Sequence, residues 1–181
     1  MKMSQKRINN DRGEALVVFS HGKESGPHGN KISSMRSIAE DLGFSTVSLD
    51  YTKCSNEMER VDLLKSFLRK QKQKLVLVGS SMGGYVSATV ANEIELEGLF
   101  LLCPAVYHYE FTQQFYAPKT MNIALVHGWE DDIILPQSSI DFAREHKAEL
   151  LLVQDGHRLK KALPSILPWF KSFLEDLQGD D

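Results

Sequence analysis

The sequence predicts an α/β fold: a single domain of about six mainly parallel strands with helices on both faces. Three observations lead there. Short apolar runs alternate with amphipathic stretches along the chain, the mark of strand–helix units. The 181 residues suit one compact domain. Neither an internal repeat nor a low-complexity linker divides them.

Taken in order, Leu16-Val17-Val18-Phe19 is the first core strand, followed by a Gly-rich loop from Gly22 to Asn30. Met35, Ile38 and Leu42 recur at helical spacing, and Gly43 stops that helix. Thr46 to Leu49 is the second strand. The next helix carries Met58, Val61, Leu64 and Leu68 on one face, with Asn56 and Glu59 as a capping pair. Leu75 to Val78 is a third strand, ended by a tight Gly-rich turn, and Tyr85 to Ala91 reads as a largely buried helix. Leu99 to Leu102, Ile123 to Val126 and Leu150 to Val153 complete the strands. A helix around Ile140, Phe142 and Ala143 separates the last two. A closing helix presents Phe170, Phe173, Leu174 and Leu177, with Pro164 and Pro168 near its start. The polar residues 1–14 are expected to form a partly disordered tail, leaving 15–178 as the domain.

Bulk properties exclude several classes. A net charge of −3 gives no electrostatic reason to bind nucleic acid or an anionic membrane. Cys54 and Cys103 are too few for a disulfide framework and lack metal-ligand spacing. No run approaches the roughly 20 apolar residues that span a bilayer, and residues 1–14 do not resemble a signal peptide. The expected compartment is the cytoplasm, and no cofactor or metal is expected.

The chemistry-bearing pattern is Gly79-Ser80-Ser81-Met82-Gly83, a G-x-S-x-G turn between a Val/Leu-rich strand and a helix. A serine at such a turn projects its Oγ above the sheet, and glycines two residues away on each side let the neighbouring chain approach. The helix that begins here aims free N–H groups at the reacting centre. Ser80 lacks the symmetric glycines, so Ser81 is the candidate nucleophile.

A serine hydroxyl needs a base, and the base needs a third group to hold it. His157 lies between the last strand and the closing helix, at the same sheet edge as Ser81. It is the candidate base, and a base that must be neutral predicts activity falling below roughly pH 6–7. Asp131 and Asp132, in His127-Gly128-Trp129-Glu130-Asp131-Asp132, can both orient an imidazole. Asp131 is preferred, with Glu130 a distant third. Stabilising a developing oxyanion takes two backbone N–H donors. Met82 is one and the Ser20 to Lys23 loop supplies the other, assigned to Lys23. His21 and His127, each before a glycine at a strand end, read as structural groups that bond loop backbone.

The order Ser81, Asp131, His157, together with His21-Gly22, the Gly79–Gly83 elbow, Gly128-x-x-Asp131 and Gly156-His157, resembles the α/β-hydrolase superfamily over about residues 16–177. Within it the chain is similar to small lidless bacterial hydrolases of the esterase and serine aminopeptidase-like kind. The resemblance implies an acyl-serine mechanism on a small carboxylic ester or thioester. A peptidase, or a non-catalytic binding or signalling protein on the same scaffold, is the alternative. A metal-dependent hydrolase using His21, His28 and His108 has no supporting ligand spacing.

Three departures accompany the resemblance. Family members usually open with two antiparallel strands, but few residues precede the first core strand here, so the sheet is expected to be trimmed at that edge. A proline often falls four residues after the triad acid, but here Pro136 is four after Asp132 and Leu135 four after Asp131. Where relatives carry a helical lid, only about 20 residues separate Leu102 from Ile123, including Tyr107, His108, Tyr109, Phe111, Phe115 and Tyr116. An open, shallow, partly aromatic cleft is therefore expected, with Tyr107 and Tyr109 against the substrate and His28 on its other side.

Overall fold

The structure is a computed structural model that describes residues 15–179; the tail expected over 1–14 lies outside them. The elements run β1 (Leu16–Ser20), α1 (Asn30–Asp41), β2 (Ser45–Leu49), α2 (Glu57–Leu68), β3 (Leu75–Ser80), α3 (Met82–Ala91), β4 (Gly98–Leu102), β5 (Ile123–Gly128), α4 (Pro136–His146), β6 (Glu149–Val153) and α5 (Leu163–Gly179). The six strands form one sheet in the order β2-β1-β3-β4-β5-β6. Every pairing is parallel, in register from Leu16 opposite Ser45 and Leu75 outward. No antiparallel strand occurs among the described residues.

Alternation along the strands sorts side chains into two cores, because successive residues face opposite sides. Leu16, Val18, Leu75, Leu77, Leu99, Leu101 and Leu125 pack with α2, α3 and α4. Val17, Phe19, Val76, Val78, Phe100, Leu102 and Val126 pack with Met35 of α1 and Ile166, Phe170 and Leu174 of α5. Central strands β1, β3, β4 and β5 are buried almost throughout, whereas edge strands β2 and β6 are half-buried. Runs apolar on both faces are what a helix-covered parallel sheet requires.

Local signals act as their chemistry demands. Asn56 accepts the Glu59 N–H at 2.9 Å, while the Glu59 carboxylate turns back to the Ser55 N–H at 2.7 Å. Gly43 ends α1 at φ +87°. Pro136 opens α4, where its missing N–H is not needed. The closing helix differs from expectation: it begins at Leu163, so Pro168 lies inside it. One backbone bond is lost there, and the buried stripe Ile166, Phe170, Leu174 holds the helix on the sheet.

Two connections leave the sheet in opposite senses. From β1 the chain moves outward to β2, and from β3 it moves the other way to β4. The carboxyl ends of β1 and β3 therefore flank the topological switch point, where open α/β sheets form their crevice.

Candidate active site

Ser81 stands at that switch point, between β3 and α3, with φ 55° and ψ −120°. This is a sparsely populated region for a residue with a Cβ, costing roughly 1–3 kcal/mol unless surroundings over-determine it. They do. The Ser81 N–H donates to the Leu102 carbonyl at 2.9 Å, and the Ser81 carbonyl accepts from Gly84, Tyr85 and Ala105. A Cβ on Gly83 would sit 2.0 Å from the Ser20 carbonyl oxygen, and one on Gly79 would sit 2.4 Å from the Gly83 carbonyl. Both glycines are thus required by close approach of backbone.

Three remote side chains converge here. The His157 Nε2 lies 2.9 Å from Ser81 Oγ, and its Nδ1 lies 2.7 Å from Asp131 Oδ2. A carboxylate only accepts, so Nδ1 carries the proton and Nε2 faces the serine as an acceptor. Asp131 is buried and its Oδ1 accepts from the Ile133 and Ile134 N–H groups at 3.0 and 2.9 Å. Burial alone would raise its pKa. Hydrogen bonds from His127, His157 and Ile134 outweigh this and hold the carboxyl far below the usual carboxylate range. Asp132 is exposed, and the Glu130 carboxylate engages Gln154.

His127 bears on the same carboxylate. Wholly buried, its Nε2 is 3.0 Å from Asp131 Oδ2 and 2.9 Å from the Ile134 carbonyl, both acceptors, while Nδ1 meets Ser139 Oγ at 2.7 Å. Nε2 therefore bears the hydrogen and Ser139 donates to Nδ1. Asp131 is held between two imidazoles. Cys103 Sγ, His127 and Asp131 place ligand atoms within 4.8 Å of one another. Yet both His127 nitrogens are committed, and burial pushes the Cys103 thiol up to about 12, so it does not offer a thiolate. His21, His28 and His108 form no such cluster among the described residues.

The loop carrying His157 owes its shape to Asp155, a residue to which the sequence reading gave no role. Its carboxylate accepts from the N–H groups of Gly156, Lys161 and Ala162 at 2.7–2.9 Å. Its carbonyl accepts from Glu130, tying this loop to the one after β5. The signal was an Asp-Gly pair shortly before a helix, a loop-bonding carboxylate of the kind that organises turns.

Met82 is the first residue of α3, so its N–H has no intrahelical acceptor and belongs to the positive end of the helix. Gly22 packs on Ser81: a Cβ there would lie 3.4 Å from the Ser81 Cβ. Lys23 follows, exposed, and shares with Met82 a cleft of about 460 Å³ that runs to Cys54 and Arg60. The loop is braced from below. His21 Nδ1 donates to the Gly22 carbonyl at 2.8 Å and Nε2 accepts the Tyr51 N–H at 3.0 Å. Tyr51 and Ser20 join their hydroxyls at 2.8 Å, and Arg60 donates to the His21 and Gly22 carbonyls at 3.2 and 3.3 Å. Sequence reasoning overlooked Ser20, Tyr51 and Arg60; the amphipathic pattern of α2 gives no sign that Arg60 points inward.

The residues expected to touch substrate do not line this cleft. Tyr107 donates its hydroxyl to Glu145 and packs its ring on Tyr116 and Phe142. Tyr109 is 86% exposed and stacks on His108, and His28 is exposed; none of the three lines the cleft beside Met82. A smaller groove, about 220 Å³, lies between Ile123 and α5, remote from Ser81 in the fold.

Known proteins share this architecture. A structure from Xanthomonas campestris pv. campestris, described as a candidate hydrolase of the alpha/beta superfamily, is 30% identical to this chain. It covers 91% of this chain and 99% of its own, at a TM-score of 0.81. A second Xanthomonas campestris structure, described as an α/β serine hydrolase without lid, is 19% identical with 91% and 83% covered and a TM-score of 0.76. Est1E from Butyrivibrio proteoclasticus is 15% identical, with 95% and 91% covered, also at 0.76. No curated protein matches the sequence. The fold and the 30% identity to the first of these structures together place the chain in the α/β-hydrolase superfamily. More narrowly, residues 16–158 match the model of the uncharacterised protein family UPF0227, and the chain belongs to that family.

Proposed function

We propose that the chain is a serine hydrolase that cleaves a small carboxylic ester or thioester through an acyl-Ser81 intermediate. The observation that carries this reading is the continuous hydrogen-bond chain from Ser81 Oγ through His157 to Asp131, at 2.9 and 2.7 Å.

The steps follow from the donors and acceptors. His157 Nε2 takes the Ser81 proton as Oγ forms its bond to the acyl carbon. Asp131, kept ionised, stabilises the imidazolium and fixes its orientation. The negative charge that collects on the acyl oxygen faces the Met82 N–H and the Lys23 N–H of the braced loop. The bond to the leaving oxygen or sulfur then breaks as His157 returns the proton to it. Water, deprotonated by the same nitrogen, attacks the acyl carbon and frees Ser81. Esters and thioesters are favoured over amides because their leaving groups are better.

A fluorophosphonate probe should label wild type and leave Ser81→Ala unlabelled, and Ser81→Ala should lower ester turnover by at least about a thousandfold. Equal labelling of both proteins, or of neither, would sink the reading.

A further inference from the structure

We infer that the cleft between Met82 and Arg60 is a subsite for an anionic group, a carboxylate or phosphate, on the substrate. This rests on the hydrolase reading for its position beside Ser81, but not for its chemistry.

Arg60 is the reason. It is 4% exposed, and no carboxylate pairs with it among the described residues. A buried cation is costly unless paired. Here a partial neutralisation comes from the two carbonyls of His21 and Gly22 and from the Tyr51 ring, 5.3 Å from the guanidinium carbon. Those bonds use only Nη1. A guanidinium has five N–H donors in a fork suited to carboxylate and phosphate oxygens. Those on Nε and Nη2 have no acceptor among the described residues. Nor are they sealed in: the enclosed, unpaired side-chain polar atoms are Ser87 Oγ, Thr89 Oγ1 and His146 Nε2. Arg60 instead lines the cleft.

The neighbouring charges leave the position open to an anion. Lys23 lines the same cleft and adds a second cation. Of the acids nearby, Glu59 is turned back to the Ser55 N–H and Asp50 to the Thr52 N–H. Glu24 alone lines the cleft as a carboxylate, and it is exposed. The cleft begins at Met82, the residue after Ser81, so an ester seated on Ser81 can extend a short chain toward the guanidinium.

Two measurements test this. In the first, glutarate and inorganic phosphate are titrated separately into ¹⁵N-labelled wild type, Arg60→Gln and Arg60→Lys. Millimolar shifts of amides in 22–26 and 52–56 that vanish in Arg60→Gln support the subsite. The anion that produces them identifies the source, carboxylate or phosphate. No shift with either anion, or equal shifts in Arg60→Gln, overturns the proposal whether or not the protein hydrolyses esters. Binding without turnover of any ester would instead remove the hydrolase reading and leave the subsite standing. In the second, kcat/KM is compared for mono-4-nitrophenyl adipate and 4-nitrophenyl hexanoate, which differ by carboxylate against methyl. Wild type should prefer the adipate roughly ten- to hundredfold, as charged hydrogen bonds allow, and Arg60→Gln should abolish the preference. Arg60→Lys should keep part of it. A purely bracing role would lower both substrates together and leave their ratio untouched, which counts against the subsite.

Discussion

Ser81 lies between two loops of opposite character, and the aromatic one is not the one that makes the cleft. On the β1 side, Ser20, His21, Tyr51 and Arg60 form a buried polar network that fixes Gly22 against the serine. On the β4 side, residues 103–122 carry most of the aromatic rings near the site, yet three of them are taken up by packing and Tyr109 and Phe115 point to solvent. Tyr116 is buried, Phe111 leans on Tyr85 at 4.5 Å, and Tyr107 is drawn to α4 by Glu145. Apolar side chains find apolar neighbours within their own segment, whereas a concavity needs backbone held off from backbone. Here polar cross-links do that.

The largest expected effect probes how closely each side presses on the elbow. Gly83→Ala would drive its Cβ to 2.0 Å from the Ser20 carbonyl oxygen, on the β1 side. Gly84→Ala would place its Cβ 2.7 Å from the Pro104 Cβ and 2.8 Å from its backbone Cα, on the β4 side. Both clashes involve backbone, but a 2.7–2.8 Å approach to a loop residue is relieved by a smaller shift than a 2.0 Å approach to a carbonyl at the end of a sheet strand. Gly83→Ala should lose at least about 3 kcal/mol, or fail to fold, and Gly84→Ala about 1–2 kcal/mol. Urea denaturation of the two variants checks the order, and a reversed order would mean the β1 loop is the softer wall.

A smaller effect separates the two sides by hydroxyl. Tyr51→Phe leaves the buried Ser20 hydroxyl without its partner and should cost about 1–2 kcal/mol. Tyr109→Ala, on a residue 86% exposed, should stay within about 0.5 kcal/mol. Comparable losses in thermal melts would erase the contrast between a bracing network and a surface ring.

What could be read in advance follows the same division. All six strands were visible because each is a short apolar run, and parallel order follows from the helices between them. Ser81, His157 and Asp131 could be placed at one sheet edge because each falls just after a strand. That argument delivers loops, not directions. It left Asp132 open beside the preferred Asp131, because the choice depends on which carboxylate the Ile133 and Ile134 N–H groups turn inward. For the same reason Tyr107 and Tyr109 were assigned to a cleft on composition alone. Arg60 was invisible because a cation on an amphipathic helix reads as solvent-facing. Only the carbonyls of a loop 38 residues earlier explain its burial.

The last contrast is electrostatic and the smallest. Burial holds the His21 pKa below its ordinary 6.5, against the opposing hydrogen bond to Gly22. The bonding gives the reason: Nε2 accepts from the Tyr51 N–H, and a proton placed there would set two donors against each other. The unfolded chain therefore binds the proton first, so stability falls as pH drops through 6.5 and continues falling until the folded-state pKa is passed. His146, also pushed down by burial, acts in the same direction from the end of α4, toward the β6 edge of the sheet. His21→Gln keeps an acceptor for Tyr51 without a titrating group, and should flatten the loss of unfolding free energy between pH 7 and 5. Adding His146→Gln should flatten the slope further, and the fall that persists toward pH 5 belongs to carboxyls held below their ordinary range, Glu40 and Glu93 among them. If His21→Gln leaves the slope as steep as wild type, the Tyr51–His21 bond does not brace the loop in solution, and the polar wall beside Ser81 must be held by Arg60 and the Tyr51–Ser20 pair alone.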